Sequence, residues 1–164
     1  MDETSPGFIE LNVDASFDPD LLQGIVGVAL RDNVDKFIAT SKYVIDVCLD
    51  VFMAEALALR YGLNLAMSVD CNKLIVNSDN TNVIDSMQEG GNSCGTAATI
   101  LDDCYHMARD FTQVRYDHCQ RETNSIADEL ARLCKFSSPS SWFDEPPNVI
   151  IPLLVRDSVL ITSQ

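Results

Sequence analysis

Four acidic residues stand where carboxylates could bind a divalent metal ion: Asp14, Glu55, Asp79 and Asp128. Asp14 follows an alternation of apolar and polar residues typical of a half-buried strand, and Asp79 follows a short apolar run. A charge inside a sheet is costly unless something pairs with it. Hard oxygen ligands suit magnesium or manganese, and two such ions can hold a phosphodiester between them. We therefore predict that the four acids converge on divalent metal.

Each acid also has a purely structural interpretation. Asp79 could cap the helix that follows it, Asp128 could pair with Ser125 in a capping box, and Asp14 could begin a turn. Glu55 is the hardest to explain in this way, because it lies on the apolar face of its predicted helix, whereas a carboxylate without a partner would be expected on the solvated face. The order of the elements favours a shared site, since ligands of open α/β sheets bind at the C-terminal ends of strands.

Hydrophobic periodicity predicts the elements that position the acids. They follow the order βββαβααβα, at residues 9–17, 24–31, 36–47, 51–69, 73–77, 83–89, 97–110, 113–118 and 125–136. Short loops make the first strands antiparallel, and the later alternation of strands and helices indicates parallel pairing. The fold class is therefore α/β, with a five-stranded mixed sheet of three antiparallel strands followed by two parallel ones, flanked by helices.

The length of 164 residues and the apolar content of 46% predict one domain with a substantial core. We place this domain at residues 8–136, after a disordered N-terminus (1–7) and before a Ser/Pro linker and apolar tail (137–164). The apolar run at 149–155 is expected to pack on its own domain or to occupy a groove on a neighbouring molecule.

The six cysteines lack any C-x-x-C pairing and lie mostly in apolar segments. They are interpreted as reduced core residues of an intracellular protein, and a zinc site is not expected. No run is long enough for a membrane helix, and the N-terminus lacks the parts of a secretory signal. We therefore expect an intracellular protein, nuclear or cytoplasmic, that does not bind a membrane.

The strong acidity of the chain limits the ways in which it could bind a polyanion. The formal net charge is −14 and the sequence pI is about 4.2, which argues against binding through a basic face. Between Asn80 and Asp110 the only basic residue is Arg109. With few phosphate contacts, affinity for a nucleic acid should be low and should fall only shallowly with salt.

The sequence resembles the ribonuclease H superfamily, and in particular the reverse-transcriptase-like ribonuclease H domains that are abundant in plants. The matching pieces span about residues 8 to 135 in the family order. They are N-V-D-A-S-F (12–17), G-V-A-L-R-D (27–32), A-E-A-L-A-L-R-Y-G-L (54–63), N-S-D-N (77–80) and H-C-Q-R-E-T-N-S-I-A-D-E-L-A-R (118–132). Any one of these pieces would be weak evidence for the resemblance, but their combination in this order is specific for the family.

The resemblance implies a metal-dependent endonuclease that hydrolyses the RNA strand of RNA–DNA hybrids with two Mg²⁺ (or Mn²⁺) ions per site. In that family pattern, Asp14 would bridge both ions. Glu55 and Asp79 would complete the ion on the leaving-group side, with Glu55 near the ribose 2′-hydroxyl. Asp128 would hold the ion that activates water.

Two further residues, His118 and Asn124, match accessory positions of the family. His118 would assist proton transfer or product release, although it could equally make a local hydrogen bond at the end of its strand. Ser16 and Asn124 are assigned to substrate binding or loop ordering, and helix capping would explain Asn124 equally well.

The chain also departs from the family pattern. Ala15 stands where the better-studied enzymes have Gly, and Val51 replaces a polar residue that helps to recognise the minor groove of the hybrid. The basic helix and loop with which some members grip the duplex are missing. These departures leave a second hypothesis, a weak or inactive ribonuclease H-like module that binds a protein partner through its acidic surface or its C-terminal tail.

Overall fold

A computed structural model of the chain describes residues 7–34, 36–90, 95–120 and 140–143. Its elements, in chain order, are β1 (Phe8–Asp18), β2 (Gln23–Arg31), β3 (Phe37–Ile45), α1 (Val51–Ser68), β4 (Lys73–Ser78), α2 (Thr81–Gln88), α3 (Ala98–Ala108), β5 (Gln113–His118) and β6 (Ser140–Phe143). The helix predicted at 125–136 and the apolar run at 149–155 lie outside the described residues. Within the described part, no helix is both long enough and apolar enough to cross a membrane.

The strands form one mixed sheet in the order β5-β4-β1-β2-β3-β6. β1, β2 and β3 pair antiparallel, whereas β4 pairs parallel with both β1 and β5. The predicted sheet of three antiparallel and two parallel strands is therefore confirmed.

One edge of the sheet differs from the sequence prediction. Ser140–Phe143 pairs antiparallel with β3, from Ser140 opposite Lys42 to Phe143 opposite Ala39. Part of the predicted Ser/Pro linker is thus a sixth strand. The serines of this segment have a low strand propensity. The segment also pairs with the edge of β3, which lies far from it in the sequence, so no local pattern predicts the pairing.

Helix α1 packs against the sheet through closely fitting small and aliphatic residues. A Cβ atom on Gly62 would lie 2.8 Å from Cγ1 of Val13 and 2.9 Å from Cδ2 of Leu11, closer than carbon atoms approach without displacement. Leu11, Val13 and Leu63 are fully buried in the same cluster. The glycine therefore sets how closely α1, and the carboxylate it carries, approaches β1.

We expect Gly62→Ala to destabilise the fold by about 1–3 kcal/mol, because overpacking against rigid neighbours outweighs the better helix propensity of alanine. Urea denaturation with a common m-value would measure it. Asn64→Ala, at an exposed position of the same helix, is the matched control and should be neutral or slightly stabilising. Equal stability of Gly62→Ala and parent would contradict the close contact.

Candidate active site

Asp14 lies within β1, in the middle of the sheet, opposite Gly27 of β2, and is 5% exposed. The parallel register of β1 and β4 runs as far as Asn12 opposite Asn77. Asp14 stands two residues further along β1, and Asp79 stands two residues beyond Asn77, just past the end of β4, so this register directs both to the same point. Asp14 therefore lies inside a strand and does not begin a turn.

Glu55 lies in the first two turns of α1. The helix begins after Asp50, whose Oδ1 accepts a hydrogen bond from the Met53 N–H at 2.8 Å. Thr96 Oγ1 donates to the other oxygen of Asp50 at 2.8 Å, which fixes the cap from outside the helix. Glu55 follows on the inner face and is 5% exposed. The inward orientation predicted from the apolar stripe is what the structure has.

Asp79 follows directly after β4 and does not cap α2. The capping residue is Asn80, whose Oδ1 accepts from the Val83 N–H at 3.0 Å, and the Asn80 N–H donates to Ser78 Oγ at 3.1 Å. The capping interpretation of Asp79 is therefore wrong, because its neighbour already supplies the side-chain acceptor that the first turn needs.

The three carboxylates converge. One oxygen of each of Asp14, Glu55 and Asp79 lies within 4.8 Å of the others. Burial, and then the negative charges of Asp14 and Asp79, raise the pKa of Glu55 to about 9, against a weaker opposing hydrogen bond from the backbone of Ala15. Without a cation this cluster stores electrostatic repulsion.

The donor set fits a hard divalent cation. Oε2 of Glu55 is buried and has no hydrogen-bond partner among the described residues. An orphaned buried carboxylate oxygen is costly for a purely structural residue, whereas a cation would satisfy it. The all-oxygen triad Asp14, Glu55 and Asp79 matches the ligands that Mg²⁺ and Mn²⁺ prefer.

A cavity of about 450 Å³ opens beside the triad. It is lined by Val51, Glu55, Asp79, Asn80, His118, Cys119 and Gln120. Nε2 of His118 lies 3.2 Å from the backbone carbonyl oxygen of Asp79, and the imidazole is exposed. The local hydrogen bond and the accessory role predicted for His118 are thus compatible, since the ring borders the cavity while it contacts the strand end.

The remaining predicted residues are less closely defined. Ser16 lies two residues beyond Asp14 on β1, opposite Ile25, and is partly buried. Asp128 and Asn124 lie outside the described residues, so their roles stay predictions.

Cys119 was interpreted as a core residue, but it is partly exposed and lines the cavity, unlike the buried Cys48, Cys71 and Cys104. Its position directly after His118 was the signal that could have identified it.

Comparisons with known proteins agree on family and fold. The reverse transcriptase-like family matches residues 12–134. No curated protein matches the chain in sequence at a significant level.

Solved structures share the fold at low identity. The N-terminal RNase H domain of a Mycobacterium tuberculosis protein is 20% identical, with a TM-score of 0.70 over 76% of this chain and 91% of that one. RNase H1 from the halophilic archaeon Halobacterium salinarum is 21% identical, with a TM-score of 0.67 over 79% of this chain and 98% of that one. LC11-RNase H1, a protein isolated from compost by a metagenomic approach and solved with an RNA/DNA hybrid, is 22% identical, with a TM-score of 0.62 over 75% and 91% of the two chains.

At such identities the likeness shows the fold, while the family match, which covers most of the chain, shows the family. The chain belongs to the reverse transcriptase-like family and has the ribonuclease H fold.

Proposed function

We propose that the chain is a metal-dependent endonuclease that hydrolyses the RNA strand of RNA–DNA hybrids. The observation that carries the proposal is the convergence of Asp14, Glu55 and Asp79 from β1, α1 and the end of β4, with ligand oxygens within 4.8 Å of one another. The family and the hybrid bound by one solved relative of the fold support the substrate class.

Asp14, Glu55 and Asp79 would hold the metal, together with Asp128, the fourth ligand that the sequence predicts. Two bound Mg²⁺ or Mn²⁺ ions would supply a nucleophile at neutral pH and stabilise charge on the phosphodiester oxygens. The chain contributes a dry position for the acids, since Asp14 and Glu55 are each 5% exposed. Low exposure strengthens every electrostatic interaction at the site.

His118 and Val51 border the cavity from opposite elements. The imidazole of His118 is exposed at the cavity, where it could serve as a general acid or base. Val51 presents an apolar surface, 52% exposed, one helical turn before Glu55. It can contact the face of a sugar but cannot hydrogen-bond a base edge, so recognition of the hybrid would depend on shape and 2′-hydroxyls.

The direct test is a cleavage assay with an end-labelled RNA–DNA hybrid in magnesium and in manganese. We expect cutting of the RNA strand to products with a 5′-phosphate, no cutting of a DNA duplex of the same sequence, and a shallow dependence of substrate affinity on salt. A hybrid that stays intact with both metals, at protein concentrations that saturate binding, would contradict the proposal.

A second candidate function, a protein-interaction module, is favoured by a set of exposed apolar side chains. Five aliphatic side chains, of which Val51 also lines the cavity, are between 47% and 69% exposed and form what we call the apolar rim: Leu21, Leu22, Val47, Leu49 and Val51. The Cys48 N–H donates to the Leu22 carbonyl at 2.7 Å, which joins the two loops that carry most of the rim.

The rim is also acidic. Segments 18–23 and 46–51 contain Asp18, Asp20, Asp46 and Asp50 and no Lys or Arg. A partner segment with apolar and basic residues would complement it. An amphipathic Leu/Lys peptide should bind the parent more tightly than the Leu49→Ser variant, with a scrambled peptide of equal composition as the control. Equal binding of the ordered and the scrambled peptide would exclude this surface as a specific dock.

A further inference from the structure

Two asparagine side chains connect β1 to β4 close to the carboxylates. Nδ2 of Asn77 donates to Oδ1 of Asn12 at 3.0 Å and to Oε1 of Glu10 at 3.1 Å. An ionised carboxylate only accepts hydrogen bonds, so the contact with Glu10 fixes which end of the Asn77 amide is the nitrogen. One amide group thus bonds two residues of the neighbouring strand, and it joins β4 to β1 through side chains as well as through the backbone.

The amides lie where the pairing of the two strands ends. The parallel register of β1 and β4 has Asn12 opposite Asn77 as its last pair. Two residues later, Asp14 is opposite Gly27 of β2, and Asp79 follows the end of β4. The side-chain bond therefore joins the strands at their last paired residues, just before the carboxylates.

Strand pairing by itself does not account for these amides. Asn12 is 4% exposed, and asparagine is one of the residues that are depleted in strands. Replacing both partners of a buried hydrogen bond with apolar residues of similar shape costs little stability. A pair of valines would therefore join β1 and β4 about as well, and the amides need a further reason.

The neighbouring carboxylates supply that reason. Asp14, Glu55 and Asp79 each place one oxygen within 4.8 Å of the others. Without a cation their negative charges repel one another, which drives the ends of β1 and β4 apart. A fixed connection beside them keeps the two aspartates close together before a cation arrives, so that binding requires less reorganisation.

We propose that Asn12 and Asn77 are positioning residues of the metal site. Their hydrogen bond holds the ends of β1 and β4 at the spacing at which Asp14 and Asp79 bind one cation. The amides act through the backbone of the two strands and are not ligands themselves. This role rests on the metal binding of the proposed function, and it requires no hydrolysis.

The test is a Mn²⁺ titration of the metal-free protein, with free Mn²⁺ measured by electron paramagnetic resonance. Binding that is lost in Asp14→Asn defines the site and separates it from weak binding to the acidic surface. We expect Asn12→Val and Asn77→Val each to weaken binding at this site by about tenfold. The double variant should bind no more weakly than either single variant, because all three lack the same hydrogen bond.

Thermal melts in chelator separate positioning from stability. Each single variant should melt below the parent, because it leaves one amide without its partner. The double variant has strand-forming residues at both positions and should recover most of the Tm. If the amides position the metal ligands, Mn²⁺ affinity stays low in the double variant even though its stability returns.

Thr40→Val is the matched control. It removes another buried side-chain hydrogen bond of the sheet, from Thr40 Oγ1 to the Val28 carbonyl, at 2.6 Å, on a strand that is not next to β4. This variant should melt below the parent and bind Mn²⁺ as the parent does.

Single variants that bind Mn²⁺ like the parent, or a double variant that regains affinity together with stability, would overturn the positioning role. A parent that binds no more Mn²⁺ than Asp14→Asn would overturn both this role and the proposed function. If the variants lose affinity as expected and the parent cuts no hybrid, the positioning role stands and the proposed nuclease function fails.

Discussion

Asp14→Asn should reduce hybrid cleavage to the background of the assay, a loss of at least about a thousandfold if metal-ion stabilisation of the transition state is worth several kcal/mol. Asp14 is central to the triad: it lies in β1, an interior strand of the sheet between β4 and β2, and it is 5% exposed. An amide of nearly the same shape keeps the packing but removes the negative charge that a divalent ion requires.

The matched control is Asp85→Asn, which makes the same chemical change at an exposed position of α2. It should cleave at the parent rate. Both variants should show the circular dichroism of the parent, so that any loss can be assigned to chemistry. If purified Asp14→Asn cut the hybrid as fast as the parent, the activity would come from a contaminant or from another site.

Much of this site could be predicted because local patterns fixed it. The alternation through residues 9–17 placed Asp14 inside a strand, and helical periodicity turned Glu55 inward; the register of β1 on β4 then brings Asp79 to the same point. Each step depends on a period of 2 or 3.6 residues within one element. The parallel pairing of β4 followed from the order of the elements.

Features that depend on competition between neighbours, or on distant pairing, could not be predicted in this way. Asp79 and Asn80 are both good N-cap residues, and only the backbone geometry shows that Asn80 takes the position. β6 is strand-like only because β3 offers an unpaired edge to it. Cys119 looked like a core cysteine because its exposure is set by where β5 ends, beside β4, and not by the residues adjacent to it in sequence.

The stability of the metal-free protein should fall as pH rises from about 4.5 towards 9. An unfolded Glu has a pKa near 4.3, while burial and the charges of Asp14 and Asp79 raise the pKa of Glu55 to about 9 in the folded protein. Between these values the folded state holds a proton that the unfolded state releases. The unfolded state therefore binds fewer protons, and the free energy of unfolding decreases with pH over that window. Below it both states are protonated at this group and its contribution is constant.

Glu55→Gln removes this titration while keeping the shape of the protonated side chain. In chelator we expect the variant to be more stable than the parent by about 1 kcal/mol or more at pH 8, and the difference to shrink towards pH 5. Millimolar Mg²⁺ or Mn²⁺ should reverse the order, because the parent gains stability from metal binding and the variant gains less.

The control is Glu89→Gln, which makes the same chemical change at the exposed residue that follows α2, outside the triad. It should change neither the pH profile of stability nor the response to metal. Urea denaturation at several pH values, with chelator and with metal, measures both effects. A Glu55→Gln variant that is less stable than its parent at pH 8 in chelator, with neither protein responding to metal, would mean that Glu55 serves the packing of α1 and that the carboxylates do not form a shared cation site.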